Sequence, residues 1–161
     1  MAKVGFVRIL LSFVLSVAVT VAVGAVVQTQ FNLAALQGLG VDIPWSLRLD
    51  ATVHDLVNFT PVFAILVFAA FFCAFPVAAL LSTVFSPIRS FTYTLAGAAA
   101  LYIAFFIINT LLPMPTLIAA TRTLEGVVAM SLPGAIGGYL HARLTRRKRR
   151  GWDSDIGMRF R

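Results

Sequence analysis

The sequence predicts an all-α integral membrane protein, a four-helix bundle with an extra interfacial amphipathic helix between spans 1 and 2. Composition is the first reason: 60% of the 161 residues are apolar and 12% are charged, where soluble domains carry roughly 25% charged residues. Mean hydropathy is +0.93. The spacing of the charges is the second reason. No Asp, Glu, Lys or Arg lies between Arg8 and Asp42, between Asp55 and Arg89, or over 90–121. A further gap over 126–142 contains only His141. A spanning helix needs about 20 mainly apolar residues, so each gap has room for one crossing.

The expected spans are 9–27, 61–85, 91–112 and 117–140, with an outer segment over 28–60. Lipid offers backbone N–H and C=O groups no partner, so only helices or closed barrels cross it. A barrel would alternate apolar and polar residues, whereas 62–81 is apolar on every side. That decides for helices. The first span has a basic start and a passable cleavage site at Ala22-Val23-Gly24. Its apolar run exceeds the roughly 7–15 residues of a signal-peptide core, so it is expected to be retained. Thr60-Pro61 reads as an N-cap with proline at the first helical position, opening the second span. Ser86-Pro87 marks the turn after that span, and Pro113-Met114-Pro115 stops the third. The fourth is shorter and richer in glycine. Pro76 and Pro133 fall inside spans and are expected to kink them.

Orientation follows from Lys and Arg in the short flanks. With four spans, both termini and the 86–90 turn share one side. That side holds 11 of the 13 Lys and Arg, leaving Arg48 and Arg122 on the other. The expectation is an inner (plasma) membrane protein with both termini cytoplasmic. It divides into a four-span domain over 1–143 and a basic tail over 144–161. Around that boundary cluster Arg143, Arg146, Arg147, Lys148, Arg149 and Arg150. Juxtamembrane clusters of this kind attract anionic headgroups at roughly 1 kcal/mol per charge, so the cytoplasmic lipid surface is an expected partner. No domain accompanies these charges, which argues against nucleic acid.

Between helices in lipid, close approach at small residues supplies much of the attraction. Ser12, Ser16, Thr20 and Gly24 recur every fourth residue on the first span. Gly126, Met130, Gly134 and Gly138 do so on the fourth, where Gly134 and Gly138 form a GxxxG. These faces suit internal packing, a homo-oligomer or docking on a membrane-protein partner. Phe63, Phe68, Phe71, Phe72, Phe75 and Phe85 crowd the second span as core filling or lipid-facing bulk.

The outer segment holds the main polar constellation. Leu49, Val53, Leu56 and Val57 fall on one helical face, with Trp45 placed as an interfacial anchor. Asp50, His54 and Asp55 lie off that stripe, and Asp50 and His54 are four apart, hence helical neighbours. Arg122 and Glu125 stand near the outer start of the fourth span. Both are expected at the rim, or paired with Arg48 or Asp55. The candidate outer cluster is therefore Arg48, Asp50, His54, Asp55, Arg122 and Glu125.

The chemistry open to this cluster is narrow. One histidine with carboxylates is a poor zinc set, and no poised nucleophile stands beside His54. A single cysteine, Cys73, excludes a disulfide framework and a CxxC redox pair. No phosphate-cradling glycine loop, HExxH or GxSxG occurs. Neither a cofactor nor a metal is expected, and no catalytic residue. What remains is a non-catalytic accessory or structural subunit that packs against a membrane partner. The alternatives are a small channel, transporter or lipid-binding protein with a polar outer mouth, and an intramembrane hydrolase using rim carboxylates.

Overall fold

The computed structural model describes residues 5–84, 86–111 and 118–146, and among them every regular element is helical. The helices are α1 (Phe6–Gly38), α2 (Trp45–Asn58), α3 (Thr60–Val84), α4 (Arg89–Leu111) and α5 (Leu124–Leu144). Three of them, α1, α3 and α4, are long and apolar enough to cross a membrane. The fourth expected span is not in that set. Lys3, Phe85, the expected Pro113-Met114-Pro115 stop and the tail residues Arg147, Lys148, Arg149 and Arg150 lie outside the described residues.

α1 runs past the expected end of its span at residue 27, because 28–37 contains no proline or glycine to stop it. Its 33 residues make it about 50 Å long. Gly40 ends it by taking a left-handed φ of 84°, a conformation costly for any residue with a Cβ. The Val41 N–H then returns to the Leu36 carbonyl at 3.3 Å.

α2 follows Pro44 and packs along the C-terminal part of α1. The expected N-cap at Thr60 is not formed. Phe59 stays in the right-handed helical region, its N–H bonds to the Asp55 carbonyl and its carbonyl receives the Phe63 N–H. The chain therefore passes from α2 into α3 without the extended residue that a cap requires.

α3 buries Phe63, Val67, Phe71, Phe75, Ala78 and Ser82, a single face at spacings of three and four. Phe71 and Phe75 stack at 4.4 Å, and Phe63 stacks on Phe105 of α4 at 6.2 Å. Phe68 and Phe72 point outward. Pro76 and Pro133 both sit inside helices that continue through them.

α5 packs on both α1 and α4, and α3 packs on the same two helices. Direction alternates along this set: the start of α1 and the start of α4 both meet the end of α5. The expected helix over 117–140 starts late. Residues 118–123 form a bend and a tight 3-10 turn (Ala119–Arg122), and the extended Thr123 caps α5 by accepting the Gly126 N–H at 3.1 Å. Thr123 followed by Leu-Glu is a start signal legible in the sequence.

Candidate functional site

Polar groups gather at two ends of the helices. At the α2 end, the Arg48 guanidinium donates to Gln30 Oε1 at 2.9 Å and Gln37 Oε1 at 2.7 Å, both on α1. It also lies 5.8 Å from the Trp45 ring centre. The buried Thr29 hydroxyl sits 2.8 Å from Asp55 Oδ2 and 3.0 Å from the Ala25 carbonyl, sharing its one proton between them. These contacts hold the polar side of α2 against α1. The partner of His54 is Asp55, its Nδ1 lying 3.8 Å from Oδ1, rather than Asp50. Asp50 is exposed. So are Arg122 and Glu125 beside the start of α5, while Arg48 and Asp55 take their partners from α1 and α2.

The apolar stripe of α2 points away from the rest of the chain. Leu49, Val53 and Val57 are each 60% or more exposed, and Trp45 is 80% exposed. Only Leu56 of the expected stripe is half-buried. Deeper down, Gln28 is buried on α1 and its Oε1 has no hydrogen-bond partner.

The small-residue faces are taken up inside the chain. A Cβ on Gly134 would collide with the Gly97 carbonyl of α4, and one on Gly97 would collide with the Gly134 carbonyl. Gly138 meets the Tyr93 backbone in the same way. Here glycine is required because two backbones touch. On α1, the Ser12 and Ser16 hydroxyls donate to the carbonyls four residues back, and Thr20 donates to the Pro133 carbonyl at 3.3 Å. Gly24 and Gly126 are buried with their stripes but meet no neighbouring spanning backbone: Gly24 makes room for the Phe63 ring of α3, and Gly126 faces the Ala120 carbonyl.

The second polar end was not singled out by the sequence. Arg8 Nε donates to the Leu144 carbonyl at 2.7 Å and Nη2 donates to the Arg146 carbonyl at 3.3 Å. Arg89 Nη1 donates to the Ala142 carbonyl at 2.8 Å, and Nη2 donates to Thr145 Oγ1 at 2.7 Å. The Thr145 hydroxyl and N–H both donate to the His141 carbonyl, and the Arg146 N–H donates to the Arg143 carbonyl. All four carbonyls that a helix leaves open at its end are thus bonded. The positive charges also oppose the negative end of the α5 dipole. Beneath them His141 is buried, stacked 4.6 Å from Phe75 and 5.4 Å from Tyr93, with its Nδ1 unpartnered. The signal for this end was the placement of Arg8 and Arg89 at two helix starts, where an antiparallel neighbour must bring its carbonyls.

Among the described residues, no three His, Cys, Asp or Glu side chains gather as a metal site. No family model, curated protein or solved structure matches the chain.

Proposed function

We propose that this chain is a small multi-pass protein of the inner (plasma) membrane, acting as a non-catalytic accessory or structural subunit on a membrane-protein partner. In this reading α1, α3, α4 and α5 form a four-span bundle with both termini in the cytoplasm. α5 counts as the fourth crossing on length and position: its 21 residues reach about 30 Å, and it packs on both α1 and α4. Glycines against a neighbouring backbone do there what apolar bulk does on the other spans.

The observation that carries the proposal is the outward apolar ridge of α2. Its polar side is bonded to α1, while Trp45, Leu49, Val53 and Val57 face out. In water such a ridge is unfavourable by roughly 25 cal/mol per Å². At the outer interface it lies against lipid and offers a partner helix an apolar surface. Because the small-residue faces are occupied internally, this outer segment is the contact surface. Gentle detergent extraction followed by native mass spectrometry tests the idea. A stoichiometric foreign subunit, lost on Leu49→Asp with Val53→Asp, supports it; a lone monomer or a homo-oligomer contradicts it.

A second reading, a small channel, transporter or lipid-binding protein, has one observation in its favour: the buried, unpartnered amide oxygen of Gln28. Gln28→Leu would abolish transport under that reading and leave partner binding intact under the first. The hydrolase reading lacks such support. Asp55 is engaged by Thr29 and His54, and the exposed Asp50 and Glu125 stand on different helices.

A further inference from the structure

We propose that Arg8, Arg89, Arg143 and Arg146 form a site for the phosphate of an anionic phospholipid, built around the end of α5. The inference rests on the membrane-crossing reading above. It adds a defined site, drawn from three helices, to the general attraction of a basic tail for lipid. Arg8 arrives from α1 and Arg89 from α4, and both end on the last turn of α5 or the residues after it. Arg143 belongs to that turn, lying 5.4 Å from the Tyr139 ring centre, and Arg146 follows it.

The guanidinium groups of Arg8 and Arg89 meet a helix end worth about half a negative charge, and Arg143 and Arg146 add two exposed positive charges in its last turn and just after it. The four described acids are elsewhere: Asp42, Asp50 and Asp55 lie between α1 and α3, and Glu125 is in the first turn of α5. With 21 residues in α5, its first turn is about 30 Å from its last. No described carboxylate therefore balances the cations.

Donors remain as well as charge. A guanidinium carries about five N–H groups. Arg8 and Arg89 each direct two of their nitrogens at protein acceptors, so most of the fork stays free for an incoming oxygen. Planar forks match phosphate oxygens in pairs. The ends of helices able to cross a membrane place this cluster at headgroup level. Below it, Leu11 and Leu15 on the Arg8 side of α1, with Leu132, Ile136 and Tyr139 on the Arg143 side of α5, are exposed and provide an apolar wall for acyl chains. That continuity of cation and oil favours a lipid over a free anion.

The full chain is exchanged into nanodiscs or mild detergent with phosphatidylglycerol and phosphatidylcholine, and retained lipid is weighed by native mass spectrometry. The site predicts a stoichiometric phosphatidylglycerol that phosphatidylcholine does not displace. Arg143→Gln with Arg146→Gln should weaken its retention about thirtyfold. The side chains of this pair make no described hydrogen bond, so the helix end stays capped. Neutralising 147–150 should leave the bound lipid in place. Equal retention of both lipids, or loss on neutralising 147–150 but not Arg143 and Arg146, overturns the proposal. So does displacement by inorganic phosphate at matched ionic strength, which would make it a free-anion site. Release of the chain from vesicles by alkaline carbonate contradicts the crossing reading itself, whatever the lipid preference.

Discussion

At the basic end, Arg8 and Arg89 cross from α1 and α4 to complete α5, and each of the last four carbonyls of that helix has a donor. At the α2 end, Asp50 and Glu125 are exposed and His54 meets only its neighbour Asp55. The first end ties three helices into one unit; the second fastens α2 to α1, with Asp50 and Glu125 exposed beside it. A cluster rich in acids and bases is thus the looser of the two. The tighter one has no described acid, because a helix end already supplies the opposing charge. Ionisable residue types alone do not mark where polar geometry is fixed.

The basic end is most sensitive to the seam between α4 and α5, where Gly97 and Gly134 bring the two backbones together. Gly134→Leu should push α4 away from α5, cost about 3 kcal/mol, and take Arg89 out of reach of Ala142. Denaturant titration in mixed micelles, followed by far-ultraviolet circular dichroism, measures the loss. Arg89→Ala should cost about 2–3 kcal/mol by leaving the Ala142 carbonyl and Thr145 without their charged donor. At the other end, Asp55→Ala should cost about 1–2 kcal/mol, since only Thr29 and the exposed His54 lose a partner. His54→Ala should stay within about 0.5 kcal/mol of the parent. An Asp55→Ala loss larger than that of Arg89→Ala would reverse the ranking of the two ends.

Much of this architecture is legible in the sequence, for reasons visible in particular residues. The gaps between charges locate α1, α3 and α4 to within a few residues at all but one boundary, since apolar runs in lipid must be helical. The exception is the end of α1. The spacing of Gly134 and Gly138 marks a close helix contact but not its partner, because the matching Gly97 stands alone in its own span. Thr60 looked like a cap, yet Phe59 keeps the helical backbone running. The Asp50–His54 neighbourhood is correct helix geometry, but His54 pairs with the residue beside it. Arg8 and Arg89 read as topology signals only, since bonds spanning 136 and 53 residues leave no local pattern.

In the proposed topology α5, the least apolar of the four long helices, crosses the bilayer along with α1, α3 and α4. Green fluorescent protein and alkaline phosphatase fusions at each terminus test it most directly. Four crossings predict fluorescent, phosphatase-inactive fusions at both ends. A phosphatase-active carboxy terminus beside a fluorescent amino terminus would mean an odd number of crossings and rule out the four-span topology.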